Sequence, residues 1–406
     1  MNTDSVGYPI YRMNEIHNML CDLNVDKYAD ISHEEYTSFA LNSGDVLFNR
    51  TNSFEWVGRT GIYYKTNDDD ERVFASYLVR FNPTEETILP EYLCAYLNCK
   101  YGVWDIKRRA RQSINQTNVN PEEVKEIEIP LLDKDIQSKI KNCFVSANDL
   151  RLKAKAAYDD ASNYLNLILG LDHLVLAEQS TTQKKFTDIK ASWRFDAEYY
   201  QPKYDELFEK LKPYKTKRLA EIVSIQKSIE PGSEAYEDEG IPFIRVANLT
   251  NFGITDTDIY LSSEKYKDVI RPKKNTILLS KDGSVGIAYK VDSDMDIITS
   301  GAILHLSLTD REIMPDYLTL ILNSIVVKMQ AERDAGGSII QHWKPSEIEN
   351  VIIPILEPED QQEITDKIRD SFKLRRESER LLNLAKAAVE IAIEQGEDKA
   401  MYLLNN

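Results

Sequence analysis

The stretch "SIIQHWKPSEIENVIIPIL", from Ser338 to Leu356, decides the fold because the chain carries a similar stretch earlier. Residues 113–132 read "SINQTNVNPEEVKEIEIPLL". Both stretches contain Ser-Ile-x-Gln, then Pro and Glu, then an alternating apolar run that ends in Ile-Pro-x-Leu. A repetition at such a large separation predicts two related structural units in one polypeptide.

Other blocks of sequence repeat in the same order on either side of this stretch. "GYPIYRMNEI" matches "GIPFIRVANL", "DVLFNRTNSFEWVG" matches "TILLSKDGSVG", and "PEYLCAYLN" matches "PDYLTLILN". The offset between the copies falls from 233 at Gly7 and Gly240 to 224 at Pro130 and Pro354. The matches set similar polar residues opposite each other: Arg12 and Arg245, Arg50 and Lys281, Ser53 and Ser284, Gln116 and Gln341.

The length and composition are those of a multidomain globular protein. A chain of 406 residues is too long for one ordinary core, and its 42% hydrophobic and 29% charged residues suit a water-soluble fold. No apolar run approaches a membrane span, and the N-terminus does not resemble a signal peptide. The four cysteines form no CxxC pair, which favours a reduced, cytoplasmic protein without a zinc site. The net charge of −17 argues against indiscriminate nucleic-acid binding but permits local basic patches.

Each copy has the same predicted order of elements. In the second copy, the runs "PFIRVANL", "NTILLS", "GIAYKV" and "GAILHLSL" alternate with Gly, Asp, Asn and Ser, as strands alternate with turns. One short helix over residues 315–333 should follow, since Pro and Asp favour the first turn of a helix. Both copies then end in a long helical pattern.

The long helices are predicted at residues 133–171 and 359–393. Each carries one apolar stripe between charged faces, and such a stripe must be buried against another surface. Two similar units in one chain would bury the stripes by packing the two helices antiparallel. Helices of about 36 residues are roughly 54 Å long.

At this point the sequence resembles a known family, the specificity subunits of type I restriction–modification systems. The resemblance covers nearly the whole chain and rests on four stretches in order: "WRFDAEYYQPKY", "NTILLSKDGSVG", "PDYLTLILNS" and "SIIQHWKPSEIENVIIPILEPEDQQEI". It implies an α+β fold in which two repeated α/β target-recognition domains are joined by two long antiparallel α-helices that form a coiled-coil spacer.

The resemblance also implies a function. Specificity subunits are not enzymes and bind no cofactor; each recognition domain contacts a few base pairs of a bipartite, asymmetric target in double-stranded DNA. Their helices hold two modification subunits, which methylate adenine, and restriction subunits can join that complex. A spacer of roughly 54 Å would span on the order of 16 base pairs. The specificity chain of a bipartite type II restriction enzyme would look the same in sequence.

The repeat divides the chain into four predicted segments. These are a first recognition domain at 1–132, a helical region and linker at 133–184, a second recognition domain at 185–356, and a second helical region at 357–406. Residues 194–239 of the second copy have no counterpart in the first, so we expect the first domain to be N-terminally incomplete. An assembly scaffold, whose shortened first half no longer recognises DNA, is therefore an alternative function.

Polar loops that recur in both copies are the candidate DNA-binding sites, because base edges need donors and acceptors and phosphates need cations. In the second copy these loops are "SKDGSVG" and "IQHWKP". Trp343, in the latter loop, is expected to be buried. The run "KRRAR", which directly precedes a candidate loop, is expected to contact phosphates. The predicted DNA-binding residues are Arg12, Arg50, Thr51, Ser53, Lys107, Arg108, Arg109, Arg111, Gln116, Thr117, Asn118, Lys227, Arg245, Lys281, Asp282, Ser284, Gln341, His342 and Lys344.

The sequence offers little for catalysis. Asp196 and Glu198 form a carboxylate pair, but no histidine or metal-ligand cluster accompanies them. The chain has no P-loop and lacks the Asn-Pro-Pro-aromatic motif with which adenine methyltransferases hold a flipped base. An enzyme that acts alone is therefore disfavoured, and no catalytic or metal-binding residue is predicted.

Overall fold

The computed structural model describes residues 3–67, 71–113, 116–172, 174, 181–335 and 342–405. The chain divides into two compact units. The first unit comprises Met1–Ala154 and Lys373–Asn406, and the second comprises Lys155–Phe372. Each unit therefore contains one copy of the repeat together with parts of both long helices. None of the described helices is both long and apolar enough to cross a bilayer.

The first copy of the repeat folds into short strands and five helices among the described residues. The strands are β1 (Tyr8–Tyr11), β2 (Ile16–His17), β3 (Leu20–Cys21), β4 (Tyr28–Ala29), β5 (Val46–Asn49), β6 (Thr51–Asn52), β7 (Thr60–Ile62), β8 (Val73–Phe74), β9 (Leu78–Phe81), β10 (Arg111–Gln112) and β11 (Thr117–Asn118). The helices are α1 (His33–Phe39), α2 (Pro90–Asn98), α3 (Lys100–Arg109), α4 (Pro121–Lys125) and α5 (Lys134–Ile168).

The remainder of the chain contains the second copy and the C-terminal helices. Its strands are β12 (Thr216–Arg218), β13 (Val223–Lys227), β14 (Tyr236–Glu237), β15 (Ile241–Ile244), β16 (Leu249–Thr250), β17 (Gly253–Ile254), β18 (Tyr260–Leu261), β19 (Ile277–Ser280), β20 (Ala288–Lys290), β21 (Ile298–Thr299), β22 (Ile303–Leu308) and β23 (Ile352–Pro354). Its helices are α6 (Phe186–Ser192), α7 (Pro202–Leu211), α8 (Leu219–Ile222), α9 (Pro315–Asn323), α10 (Ile325–Asp334), α11 (Pro345–Ile348), α12 (Pro358–Gln395) and α13 (Glu397–Asn405).

The main sheets of the two units share three strands with the same pairing. In the first unit β5 lies between β7 and β9, and in the second unit β19 lies between β20 and β22, all antiparallel. The register is also the same, since Phe48 pairs with Thr60 and Val79 where Leu279 pairs with Ala288 and Leu304. The mixed α+β fold and the internal repeat predicted from the sequence are confirmed.

A smaller sheet repeats as well. β1 pairs antiparallel with β4 and parallel with β8, as β15 pairs with β18 and β21. Gly7 and Gly240, which precede these strands, both have positive φ, and a Cβ there would lie 2.1 Å from the carbonyl oxygen of Ala29 or 2.4 Å from that of Leu261. This close backbone approach explains why both copies begin with glycine.

The prediction of a single helix at residues 315–333 is wrong, because two helices occupy this region. α9 ends at Asn323 and α10 begins at Ile325, with Ser324 between them in an extended conformation. The Ser324 hydroxyl accepts a hydrogen bond from the Val326 amide and so caps α10. The first copy has the same break at Cys99, between α2 and α3.

The two long helices agree closely with their predicted ranges and pack antiparallel within each unit. In the first unit, the Ser378 hydroxyl donates to the Ala147 carbonyl oxygen at 2.7 Å, and Glu397 accepts from the Asp133 amide at 3.3 Å. In the second unit, the Tyr164 hydroxyl donates to Asp360 at 2.8 Å. The predicted stripes are buried at Ile140, Phe144, Ala147, Ala161, Ile364, Ala385 and Ala388.

Candidate nucleic-acid interface

The two candidate loops of the second unit lie against each other. Asp282, from the loop after β19, and His342 form an isolated antiparallel bridge, and the Trp343 amide donates to the Lys281 carbonyl oxygen at 2.8 Å. The His342 Nδ1 atom lies 2.9 Å from Asp282 Oδ1, and the Lys281 ammonium also contacts Asp282. Tertiary structure therefore joins two polar segments that are about 60 residues apart in sequence into one surface.

The first of these loops is held by a buried serine. The Ser280 hydroxyl donates to the Ser284 carbonyl oxygen at 2.5 Å and accepts from the Ile287 amide at 2.8 Å. Gly283 and Gly286 have positive φ and allow the chain to turn back within this short loop. Ser284 is consequently exposed at the tip of a fixed turn.

The second loop is anchored by Trp343, which is fully buried as predicted. Its side chain belongs to the main core of the second unit, while the residue before it, His342, keeps a side chain that is 63% exposed. Lys344, the residue after it, is also exposed and lies 3.6 Å from Glu347. Gln341 lies outside the described residues.

The charge of Asp282 follows from its two neighbours. Burial would raise the pKa of this carboxyl, but the hydrogen bonds from Lys281 and His342 outweigh burial and hold the pKa below its ordinary value. The site therefore presents a carboxylate between a lysine ammonium and an imidazole. Such a set can donate and accept hydrogen bonds at a base edge.

The corresponding residues of the first unit form a small sheet. β11 lies between β10 and β6, so that Asn118 pairs with Thr51 and Arg111, and Thr117 pairs with Asn52 and Gln112. The Asn118 amide donates to the Thr51 hydroxyl at 3.0 Å. Gln116 and Asn118 are exposed, whereas Thr117 is buried.

The hydrogen bonds correct the alignment of the two copies by one residue. The Val119 amide donates to the Arg50 carbonyl oxygen at 2.9 Å, as the Trp343 amide donates to Lys281. Val119 is therefore the counterpart of Trp343, and both are fully buried. It follows that Asn118, rather than Thr117, occupies the position in the first copy that His342 occupies in the second. The sequence match at Ser-Ile-x-Gln placed Gln116 opposite Gln341, one position away from the register set by the core.

The basic run of the first unit separates into braced and exposed cations. The Lys107 ammonium contacts the backbone carbonyl oxygens of Phe54, Glu55 and Val57, and burial lowers its pKa. Arg109 is also largely covered, since it donates to Asp105 at 3.2 Å and to the Glu126 carbonyl oxygen at 2.7 Å.

The other two arginines of this run face solvent. The side chain of Arg108 is 67% exposed and contacts Asp105, and that of Arg111 is 75% exposed and lies 3.5 Å from Glu123. These exposed guanidinium groups are placed where a phosphate could replace an acidic neighbour. The carboxylates that hold the run together were not anticipated, because they come from residues on either side of it in sequence.

The remaining predicted residues lie at or just after the ends of strands. Arg12 forms an ion pair with Glu15, which also accepts from the Arg12 amide at 2.7 Å. At the equivalent turn, Asn248 accepts from the Arg245 amide at 3.1 Å, and the Arg245 side chain is exposed. Exposed Lys227 ends β13 and lies over Gly301, while Ser53 is exposed in the loop after β6.

The carboxylate pair noted in the sequence has a structural environment. Asp196 receives two hydrogen bonds of 2.7 Å from Arg194, which lower its pKa despite partial burial. All four cysteines are buried and free, and burial raises the pKa of each thiol. No group of three metal-ligating side chains occurs within the described residues.

The comparisons with known proteins agree with this architecture. Residues 212–384 match the family model described as the type I restriction modification DNA specificity domain. A Methanocaldococcus jannaschii protein, named for the specificity subunit of the type I restriction enzyme MjaX, is 23% identical over 96% of this chain and 86% of its own length. The specificity subunit of the Escherichia coli type I restriction enzyme EcoKI is 24% identical over 42% of this chain and 37% of its own.

One of the solved structures that are similar to this chain is a type I restriction–modification S subunit from M. genitalium. The two chains are 14% identical, the TM-score is 0.35, and the match covers 99% of this chain and 88% of that chain. The sequence comparisons confirm the resemblance to type I specificity subunits that the repeated motifs indicated.

Proposed function

We propose that this chain, which resembles type I restriction–modification specificity subunits over 96% of its length, recognises a bipartite, asymmetric DNA target without catalysing a reaction itself. In this proposal each unit contacts one half of the target through its pair of loops. The chain also docks two modification subunits, which carry the adenine methyltransferase activity, and restriction subunits can bind to that complex.

The observation that carries the proposal is a pair of equivalent loops with unlike side chains. In both units a basic residue, Arg50 or Lys281, precedes a cross-strand polar pair whose backbone geometry is the same. The pair is Thr51 with Asn118 in the first unit and Asp282 with His342 in the second. A shared frame with different donors and acceptors suits the recognition of two different base sequences.

The electrostatics agree with specific rather than general binding. A net charge of −17 repels DNA at long range, so contact requires local cations. In the first unit Arg111 is exposed on the edge strand β10 and Arg108 is exposed near the end of α3, and in the second unit Lys344 and Arg245 are exposed. We assign phosphate contacts to these four residues and a bracing role to Lys107 and Arg109.

The long helices give the proposal its spacing. α5 has 35 residues and α12 has 38, and both contribute buried residues to each unit. We propose that these helices separate recognition domains at 1–132 and 185–356 and offer the docking surface for the modification subunits. The two predicted helical regions, at 133–184 and 357–406, then form the spacer.

The test is methylation mapping of DNA from cells that produce this chain together with its modification subunits. The expected result is adenine methylation at one motif with two specified parts and an unspecified spacer, which disappears when this chain is omitted. Methyl transfer by the isolated chain with S-adenosylmethionine would overturn the non-catalytic assignment. A motif with only one specified part would favour the assembly scaffold whose first half no longer recognises DNA.

A further inference from the structure

The cluster of Lys281, Asp282 and His342 exposes its side chains unequally. The side chain of His342 is 63% exposed, whereas that of Asp282 is 25% exposed and that of Lys281 is 13% exposed. Both carboxylate oxygens of Asp282 are engaged, since Oδ1 lies 2.9 Å from His342 Nδ1 and Oδ2 contacts the Lys281 ammonium. The imidazole is therefore the part of this cluster that an approaching ligand would meet first.

The imidazole stands on a fixed backbone. The Trp343 amide donates to the Lys281 carbonyl oxygen at 2.8 Å, and the Lys281 amide donates to the Ala302 carbonyl oxygen at 2.9 Å. Because Trp343 is fully buried, the residue that follows His342 is locked in the core, and the contact with Asp282 orients the ring. A group held in this way binds a ligand without a large loss of conformational freedom.

The carboxylate decides which ring nitrogen carries the proton. Burial raises the pKa of Asp282, but the hydrogen bonds from Lys281 and His342 outweigh it, so the group is ionised at neutral pH and can only accept. The hydrogen between the two side chains therefore belongs to His342 Nδ1. In a neutral imidazole the other nitrogen, Nε2, then has a lone pair and accepts hydrogen bonds. Within the described residues the hydrogen bond of this imidazole is made by Nδ1, which leaves Nε2 for a ligand.

The edges of the DNA bases differ in what they offer to such an acceptor. In the major groove the donors are the amino groups at N6 of adenine and N4 of cytosine, whereas guanine and thymine present carbonyl oxygens at the equivalent place. An acceptor that faces one strand therefore separates adenine and cytosine from guanine and thymine.

We infer that His342 determines specificity in the second half of the target, and that its Nε2 atom accepts a hydrogen bond from the exocyclic amino group of an adenine or a cytosine. Asp282 is a positioning residue that acts through His342, because it fixes the tautomer and the ring orientation, and Lys281 holds Asp282 in turn. The inference rests on the proposed function, since it names the base chemistry that the second loop pair would recognise.

The first unit contains a pair of the same kind away from its loop pair. His17 Nδ1 lies 3.0 Å from both carboxylate oxygens of Asp22, and the His17 side chain is 44% exposed. This histidine belongs to the hairpin of β2 and β3. It provides a matched control for the general effect of removing an exposed imidazole that is bonded to a carboxylate.

The experiment measures binding of the chain, in complex with its modification subunits, to the target duplex that methylation mapping identifies. Each adenine of the second half is replaced in turn by purine, and each cytosine by 2-pyrimidinone, because these bases lack only the amino group. Binding is measured at about pH 8.5, where an imidazole is ordinarily neutral. The proteins are the unchanged chain, His342→Ala, Asp282→Asn and His17→Ala. For each protein the ratio of its affinities for the two duplexes is compared, so that a general loss of binding cancels.

One of these replacements should weaken binding by the unchanged chain roughly 10-fold, and the same replacement should have little effect on His342→Ala. Asp282→Asn should lose part of this discrimination, because an amide can donate to Nδ1 and so leave the ring hydrogen on Nε2. His17→Ala should behave as the unchanged chain does.

Two results would overturn the inference and leave the proposed function intact. In the first, the unchanged complex binds its two-part target specifically, but no amino group of the second half loses its effect in His342→Ala. In the second, His17→Ala abolishes the same discrimination as His342→Ala. The absence of any specific two-part target would overturn the inference and the proposed function together.

Discussion

The loop pair of the first unit and that of the second unit have one backbone frame and two chemistries. In the first, an asparagine amide meets a threonine hydroxyl at 3.0 Å; in the second, an imidazole meets a carboxylate at 2.9 Å. The residue that follows is buried in both, but it is Val119 in one and Trp343 in the other. A repeated fold can thus conserve the position of polar groups while changing what those groups recognise.

The strongest challenge to this comparison is to move the two loop pairs apart. Inserting seven residues after Ala154 in α5 and after Phe372 in α12 lengthens each helix by about 10.5 Å. The proposed target should then gain about three base pairs in its spacer, and specific binding of the original target should fall by about 10³-fold or more. Methylation mapping would show the new motif. An active complex with an unchanged spacer contradicts the role of the helices.

The second test compares the buried anchors. Trp343→Ala should destabilise the second unit by about 3–5 kcal/mol, because it empties a large volume in a packed core. Val119→Ala removes less apolar volume and should cost about 2 kcal/mol in the first unit. Urea unfolding of both variants measures these costs. Equal losses would mean that the two anchors do not have equivalent places in their cores.

The third test asks whether each loop pair serves one half of the target. Lys281→Ala and Gln341→Ala should relax the second half, and Arg50→Ala the first, each with a loss of about 1–3 kcal/mol in binding free energy. Competition binding with DNA substituted in one half at a time distinguishes these outcomes. If Lys281→Ala and Gln341→Ala together leave affinity and target unchanged, other loops contact the bases.

The fourth test compares how the stability of the two units depends on pH. His305 in β22 stands where β9 has Arg80, and burial lowers the pKa of His305 from 6.5 to about 4. The unfolded chain then binds more protons than the folded chain between about pH 6.5 and 4, so stability is lost as pH falls through this window. The loss should be about 2 kcal/mol at pH 5.

His305→Gln is the variant that isolates this effect, because glutamine can still bond to the Thr299 hydroxyl, which lies 2.8 Å from His305 Nε2. Denaturant unfolding at pH 7 and pH 5 should show a smaller loss in His305→Gln than in the unchanged chain. The same loss in both proteins would assign the acid sensitivity to other groups.

The smallest expected effect separates exposed from braced cations in the first unit. Arg108→Ala or Arg111→Ala should each reduce the slope of log affinity against log salt by about 1. Lys107→Ala should leave this slope unchanged and loosen the loop at residues 54–57, which its ammonium holds. Binding measured over a range of salt concentrations tests this, and equal slopes for all three variants would remove the distinction.

The sequence alone determined the features that depend on local pattern. The internal repeat, the strand runs around Ile277–Ser280 and Ile303–Leu308, and the two long helices follow from hydrophobic periodicity and from turn-forming residues. Burial of Trp343 was also predicted, since a large apolar ring among polar neighbours has few other places. These predictions succeeded because spacing along a helix or strand is fixed by backbone geometry.

Only the tertiary structure decided which residues meet. It divided residues 315–333 into two helices at Ser324 and joined Asp282 to His342. It also joined Asn118 to Thr51 and so identified Asn118 as the counterpart of His342 in the repeat. It also placed the carbonyl oxygens of residues 54–57 around Lys107, so that a predicted phosphate ligand became a brace. Such outcomes depend on strand register and on the neighbours that pairing brings together, and a one-dimensional pattern of residue types does not contain the contacts between distant segments.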